Sequence, residues 1–91
     1  MIKFLNKKYL CDYEYYKDGI FTGGMITADE NKSIKLLQGI IYGEEDNEVK
    51  RLAMFTWNVE NNKFDAIKTE YQELVSEVIS DILVELKKES L

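Results

Sequence analysis

Apolar residues in the last third of the chain recur at the spacing of one long amphipathic helix. Between residues 64 and 86 they stand three or four positions apart, which puts them on one face at about 100° per residue. No proline or glycine interrupts this segment, and Asp65 near its start suits the positive end of a helix dipole. The apolar face spans roughly half the circumference, whereas an ordinary surface helix shows about 100°. Either a small domain wraps this helix deeply, or part of its face meets a second protein surface. The face consists of Ile67, Tyr71, Leu74, Val75, Val78, Ile79, Ile82, Leu83 and Leu86.

The first two-thirds of the chain alternate with the two-residue period of β-strands. In residues 9–16, Tyr9, Cys11, Tyr13 and Tyr15 occupy one side, and Asp12 and Glu14 lie on the other with Leu10 and Tyr16. The Asp18-Gly19 pair is a strong signal for a tight hairpin turn, so residues 20–27 are predicted as the returning strand. Residues 49–59 alternate in the same way and form a further predicted strand. The alternating positions of the first strand are Tyr13 and Tyr15 on one side, and Asp12 and Glu14 on the other.

Residues 27–42 fit either a strand or a helix. The segment Thr27-Ala28-Asp29-Glu30 has the form of a helix capping box. Against a helix, Gly39 would lie in its interior at a cost near 1 kcal/mol, and Ile40-Ile41-Tyr42 has the composition of a strand. Short connections favour neighbouring antiparallel strands. We therefore predict one α+β domain over residues 1–91, a four-stranded antiparallel meander with one long C-terminal helix (ββββα), with ββαβα as the alternative.

A single helix can cover only one face of the predicted sheet. In the strand at residues 49–59, Leu52 and Met54 alternate with Phe55 and Trp57, so apolar side chains are expected on both faces. Scattered apolar residues on a surface are normal, but a half-covered sheet with apolar residues on both faces favours association. We therefore expect the protein to form a homo-oligomer, with a homodimer as the simplest case.

The composition is that of one globular domain. Ninety-one residues with 45% hydrophobic content are enough for an adequate but modest core. The single cysteine, Cys11, excludes an internal disulfide and fits a small apolar core position in a reducing compartment. No apolar run approaches the roughly 20 residues that span a membrane, and the N-terminus lacks the order of a signal peptide. We expect a cytoplasmic protein with no membrane partner.

The chain contains no histidine, which removes the usual general base and the commonest metal ligand. With one cysteine in addition, a structural zinc site cannot form within one chain. The acidic run at residues 44–48 lacks the ligand spacing of a calcium loop and is predicted to be a solvated turn. Cys11 has no histidine to activate it as a nucleophile. We therefore expect no enzymatic activity, no cofactor and no metal.

Four carboxylates form a separate stripe on the far side of the predicted helix. At about 1.5 Å per residue they are about 4.5–6 Å apart along the axis, which is comparable with phosphate spacing along a nucleic-acid strand. An ordinary solvated helix face would also look like this. The stripe nevertheless predicts a partner-binding surface, and the residues are Glu70, Glu73, Glu77 and Asp81.

The predicted function is that of a small acidic binding protein, an inhibitor or antagonist that occupies a basic site on a nucleic-acid-handling protein. Phages carry inhibitors of this kind against host defence, and a composition rich in Lys, Asn, Ile, Glu and Tyr is typical of AT-rich genomes. The alternative is a homodimeric single-stranded nucleic-acid-binding protein that stacks bases on Tyr13, Tyr15, Tyr16 and Trp57. The net charge of −5 argues against that alternative, because nucleic-acid binding normally needs a basic surface.

Overall fold

The computed structural model describes residues 2–5, 10–31 and 33–89 as one antiparallel sheet followed by a C-terminal helix. The six strands lie in the sheet in chain order, so consecutive strands are neighbours. The predicted α+β class, antiparallel meander and C-terminal helix are confirmed, whereas the predicted number of four strands is wrong. The elements are β1 (Ile2–Leu5), β2 (Leu10–Lys17), β3 (Ile20–Ala28), β4 (Ile34–Glu45), β5 (Glu48–Asn58), β6 (Lys63–Thr69) and α1 (Gln72–Glu89).

The segment predicted as the first turns of the long helix is instead the edge strand β6. Phe64 and Ile67 are three residues apart, which is a helical spacing, yet both pair with residues on one face of β5. Phe64 lies opposite Trp57 and Ile67 opposite Phe55, because a β-bulge leaves one extra residue between them. The bulge gives a strand the apparent period of a helix, and α1 begins only at Gln72.

Residues 27–42 are strand and turn, so the alternative ββαβα is wrong. β3 ends just before Asp29, which turns the chain instead of capping a helix. The Oδ1 atom of Asp29 accepts hydrogen bonds from the backbone N–H groups of Asn31 and Ser33, both at 2.9 Å. This is the local bonding by which aspartate favours turns over helices.

The β2–β3 and β4–β5 hairpins each turn on two residues with positive φ. Asp18 and Gly19 have φ angles of 51° and 80°, and Asp46 and Asn47 have φ angles of 53° and 64°. Positive φ at both central residues gives the tight turn that matches the twist of paired strands. The predicted Asp18-Gly19 hairpin is confirmed. The polar turn expected over residues 43–48 is shorter than predicted, because both flanking strands extend into that segment.

α1 packs against one face of the sheet, named here the helix face. Its buried residues follow the predicted helical stripe, whereas Leu74 and Leu83 are only half-buried at its flanks. Ile67 and Tyr71 precede the helix and are 37% and 40% exposed, so their predicted place in the stripe is wrong. The side chain of Cys11, predicted to lie in the core, is outside the side chains that the structure describes. The core consists of Tyr13, Tyr15, Ile26, Leu37, Ile41, Ala53, Phe55, Val75, Val78, Ile79, Ile82 and Leu86.

A second β-bulge changes the face on which Leu52 lies. The pairing with β4 passes from Ala53 to Arg51 and leaves Leu52 as an extra residue of β5. Leu52 packs against the core on the helix face, so the prediction that it lies opposite Phe55 is wrong. Met54 does lie on the opposite face, where it is 37% exposed. The sheet therefore keeps an apolar residue on the face that α1 leaves uncovered, named here the open face.

Candidate functional site

The four predicted partner-binding residues do not form one helical stripe. Glu70 lies in the bend between β6 and α1, outside the helix. Glu73 and Glu77 are exposed on the outer surface of α1. Asp81 is only partly exposed, because it faces β2 and bonds to that strand. The helix therefore presents a shorter acidic row than predicted, with one carboxylate engaged inside the protein.

Asp81 is the centre of a small polar network between α1 and β2. The Tyr15 hydroxyl donates a hydrogen bond of 2.5 Å to Asp81 Oδ2, and Lys17 Nζ lies 3.4 Å from the same oxygen. Lys17 Nζ also lies 3.6 Å from Glu77 Oε1. The Tyr15 hydrogen bond and the nearby Lys17 charge hold the pKa of Asp81 below its usual value. Burial, followed by the Asp81 contact, raises the pKa of Tyr15. This network fixes the position of α1 across the sheet.

The helix crosses the sheet from β5 to β2. At its start, Thr69 Oγ1 donates a hydrogen bond of 3.0 Å to the Leu52 carbonyl and accepts one of 2.8 Å from the Tyr71 backbone N–H. Asp81 lies about nine residues further along α1, where each residue advances about 1.5 Å along the axis. There its carboxylate accepts the hydrogen bond from Tyr15 of β2. The first half of α1 therefore lies near the end of the sheet that carries the β2–β3 and β4–β5 turns.

Carboxylates from several elements gather at that end of the molecule. The strands alternate in direction, so the β2–β3 turn, the β4–β5 turn and the bend after β6 lie at the same end of the sheet. Among the described residues, basic side chains of the same region are Lys17, Lys50, Arg51 and Lys68. We name this surface the acidic end, and it consists of Asp18, Glu44, Glu45, Asp46, Glu48, Glu70, Glu73 and Glu77.

Most of the acidic end is exposed and lacks an internal counter-charge. Among the described residues, no cation lies within 4.0 Å of the carboxylates of Glu44, Glu48, Glu70 or Glu73. Tyr71 ties the β4–β5 hairpin to the start of the helix, since its hydroxyl donates a hydrogen bond of 3.3 Å to a carboxylate oxygen of Glu45. The charge of Glu45 raises the pKa of that hydroxyl. The carboxylates of the acidic end are therefore solvated, while the Tyr71–Glu45 hydrogen bond joins the β4–β5 hairpin to the segment before α1.

Sequence reasoning missed the contribution of the β4–β5 hairpin to this surface. The run at residues 44–48 was interpreted as a separate solvated turn, far in sequence from Glu70 and Glu73. The signal that could have joined them is the direction of the strands. In a meander with one further strand after the hairpin, the acidic turn and the start of the helix must share an end of the sheet.

The open face contains a concave depression of about 570 Å³. Its floor is low at Gly23, which faces the open side and has no side chain, and Met25 and Met54 stand above it. Both methionines are 37% exposed. An adjoining aromatic pair, Tyr16 and Phe21, packs edge to face with ring centroids 5.9 Å apart. The open face is therefore a mainly apolar, concave surface, and no described element of the chain packs against it.

The aromatic residues proposed to stack nucleic-acid bases are mostly unavailable for that role. Tyr13 and Tyr15 are 2% and 4% exposed, because they lie beneath α1. Trp57 packs edge to face against Phe64 with ring centroids 4.7 Å apart and belongs to the same layer. Only Tyr16, at 58% exposure, presents a ring to solvent. The stacking platform of the alternative function does not exist on the helix face.

Within the described ranges, no group of three or more metal-ligating side chains is placed to hold a metal ion. Nor does the described part of the chain contain a helix with the length and apolar character needed to cross a membrane.

No protein-family model matches the chain, and no curated protein or solved structure is significantly similar to it.

Proposed function

We propose that this protein is a non-enzymatic binding protein whose acidic end occupies a basic site on a partner protein. The observation that carries the proposal is the convergence of exposed carboxylates from two hairpins, a bend and α1 on one end of the sheet. A concentrated field of one sign speeds the encounter with a surface of the opposite sign and rejects like-charged partners.

The state of these carboxylates favours binding rather than internal stabilisation. Glu44, Glu48, Glu70 and Glu73 make no ion pair with a described cation, so a partner need not break an existing bond to reach them. They are exposed, so their desolvation on binding is partial and a rim contact costs little. Charges retained only for stability would instead be paired, as Asp81 is with Lys17.

The partner class follows from the arrangement of the charges. Glu73 and Glu77 are spaced by about one helical turn, at about 6 Å along α1. The hairpin carboxylates extend this surface beyond the helix, so the negative charges occupy a band rather than a point. Basic sites that accept such a band include grooves that hold a nucleic-acid backbone. The proposed activity is therefore competitive occupation of a nucleic-acid-binding groove, which is inhibition.

The residue inventory supports a binding protein over an enzyme. The chain has no histidine to act as a general base near neutral pH. In the described ranges, one polar cluster links α1 to the sheet, and its members contact one another through hydrogen bonds and ion pairs. The cluster consists of Tyr15, Lys17, Glu77 and Asp81. A nucleophile with an adjacent base, which covalent catalysis requires, has no counterpart in that cluster.

Two variants with equal changes in charge test the proposal. The acidic-end variant combines Glu44→Gln, Glu70→Gln and Glu73→Gln. The matched control variant combines Glu30→Gln, Glu60→Gln and Asp65→Asn, which are exposed carboxylates away from the acidic end. Immobilised wild-type protein is exposed to a nuclease-treated extract of the source cells, and the Kd of each retained protein is then measured for all three forms.

The expected result is a retained basic protein whose affinity falls about 3- to 100-fold for the acidic-end variant, since three exposed ion pairs contribute about 0.2–1 kcal/mol each and 1.4 kcal/mol is tenfold. The control variant should bind within about twofold of wild type, and single-stranded DNA should compete with all three forms. Equal binding by both variants would refute the assignment to the acidic end. Retention that disappears with nuclease would instead favour the nucleic-acid-binding alternative.

A further inference from the structure

The open face has charges of opposite sign on opposite sides of an apolar centre. One row of directly paired residues crosses it from β1 to β6. Ile40 of β4 lies at the middle of this row, with Glu14 two strands away on one side and Lys68 two strands away on the other. Both charged side chains are exposed. In order across the sheet, the row is Lys3, Glu14, Gly23, Ile40, Met54 and Lys68.

We propose that the open face binds the open face of a second copy of this chain, with the two-fold axis running along β4. Such an axis lays the two sheets face to face and places β2 of each copy over β6 of the other. Glu14 then lies over Lys68 of the second copy, and the symmetry repeats this pair on the other side. An axis running across the strands would place Glu14 over carboxylates of the same strand in the second copy, which repel. Charge complementarity therefore selects both the occupant and the orientation.

The relief of the face matches the same symmetry. Met54 and Gly23 lie one strand either side of Ile40 in the row, so the axis places Met54 of each copy over Gly23 of the other. Gly23 belongs to the low floor of the depression, which leaves room for a methionine side chain. Methionine is flexible and fills irregular gaps well. Twisted sheets that pack face to face cross at about −30°, which lets their saddle-shaped surfaces fit.

A second row adds a matched contact. Phe21 and Arg51 lie one strand either side of Tyr42, so the same axis brings Phe21 of each copy to Arg51 of the other. A guanidinium over an aromatic ring is attracted by its negative face. Arg51 is exposed on the single chain. The two rows thus assign a complementary contact to Arg51 and Lys68, two of the charged residues that β5 and β6 carry on the open face.

The area of the face suits a stable dimer. The five strands β2–β6 overlap about this axis, and at about 4.8 Å apart with a usable length of about 20 Å they give on the order of 500 Å² in flat projection. Side-chain relief raises the accessible area above the projection, toward the roughly 800 Å² per partner of a standard interface. Its centre contains the exposed Met25 and Met54, the half-buried Ile40 and the exposed Gln38, so a mainly apolar centre is flanked by charged residues.

The proposed axis preserves direction along the strands, so both acidic ends lie on the same side of the dimer. Their mutual repulsion is weakened because exposed charges are screened beyond about 8 Å at physiological ionic strength. The consequence is a bivalent acidic surface, which would bind a repeated basic partner with avidity. The dimer itself does not depend on the proposed function, since its contacts are on the open face.

Charge reversal and charge exchange test the proposal by sedimentation equilibrium over about 1–100 µM, a range in which interfaces of this size commonly associate. The wild-type chain should have a mass twice its 10.7 kDa. Glu14→Lys and Lys68→Glu should each weaken the dimer at least ~10-fold, because each reversal turns two attractive pairs into repulsive ones. The double variant Glu14→Lys/Lys68→Glu should recover dimerisation, because it restores opposite charges at every contact.

Two controls separate an interface effect from a general effect of charge or folding. Glu30→Lys and Lys87→Glu make the same charge changes at exposed positions off the open face, and they should dimerise like wild type. Met54→Asp should give a folded monomer by circular dichroism, because it buries a charge only in the dimer. A monomeric wild-type chain would overturn the proposal and leave the depression to a different occupant. Dimers unaffected by the single reversals, or not recovered by the exchange, would overturn the proposed orientation.

Discussion

Gly39 is the position on β4 where a methyl group should be most costly. A Cβ at Gly39 would lie 2.7 Å from Cζ of Phe55 and would also strike the Tyr13 hydroxyl. Both rings are buried in the core beneath α1. The Tyr13 hydroxyl is moreover engaged, since it donates a hydrogen bond of 2.8 Å to the Gln38 carbonyl. Gly39→Ala must therefore displace a ring or break that bond.

The expected loss follows from three opposing effects. Overpacking of a tight core costs about 1–3 kcal/mol. Loss of the Tyr13 hydrogen bond adds about 0.5–1.5 kcal/mol. Replacement of a strand glycine by alanine returns about 0.5–1 kcal/mol through the unfolded chain. We expect Gly39→Ala to lower the free energy of unfolding by about 0.5–4 kcal/mol, where the upper half of this range is a large part of the stability of a small domain.

Gly43→Ala is the matched comparison on the same strand and face. Its added Cβ would meet Leu52 Cδ1 at 2.5 Å and Ile20 Cδ1 at 3.2 Å, which are the ends of flexible side chains. Such side chains can change rotamer, so we expect a loss below about 1 kcal/mol. The difference between the two alanine variants isolates rigid aromatic packing from the general effect of losing a strand glycine.

A double-mutant cycle with Tyr13→Phe tests the cause. The phenylalanine variant lacks the hydroxyl that the new methyl group would strike, so Gly39→Ala should cost at least about 1 kcal/mol less in that background. Urea melts followed by the fluorescence of Trp57, the single tryptophan, give the four unfolding free energies. A coupling energy near zero, or a Gly39→Ala loss below about 0.5 kcal/mol, would refute this account of the packing.

Three further variants probe the helix face. Ile82→Ala should cost about 2–5 kcal/mol because Ile82 is fully buried, whereas Val84→Ala, at a half-exposed site, should cost below about 0.5 kcal/mol in the same urea melt. Thr22→Val should raise stability by about 1 kcal/mol, since the buried Thr22 hydroxyl has no hydrogen-bond partner in the structure; a loss in the melt would reveal a partner. Burial raises the pKa of Tyr13 and Tyr15 above 10.0, so their contribution is complete below pH 10 and falls as pH rises further. Thermal melts at increasing pH should therefore show an alkaline loss of stability that is smaller in Tyr13→Phe; an unchanged slope would argue against that assignment.

Local periodicity predicted the elements whose pairing is regular. The alternation around Tyr13 and Tyr15 correctly gave the buried side of β2, because successive strand residues point to opposite faces. The helical spacing of Val78 and Ile82 correctly gave the buried side of α1. The Asp18-Gly19 turn was also predictable, because both residues tolerate the positive φ that a two-residue hairpin requires.

Prediction failed where a bulge changes the period. Phe64 and Ile67 have helical spacing and nevertheless occupy one face of β6, because an extra residue lies between them. Leu52 alternates with Phe55 as if on the opposite face, yet its bulge returns it to the core. A bulge is a property of two paired strands and is not encoded in either strand alone. The β5–β6 connection also lacks glycine and proline, and its turn is marked only by asparagines, of which Asn62 adopts a φ of 54°.

The sequence by itself determined the acidic charge, the absence of histidine, the α+β class and the apolar sides of β2 and α1. These depend on composition and on contacts between residues a few positions apart. Only the tertiary structure decided that Asp81 bonds to Tyr15, that the carboxylates of the β4–β5 hairpin join those of α1, and that one face of the sheet stays open. Those features depend on strand order and register, which bring together residues separated by tens of positions, and no local period contains that information.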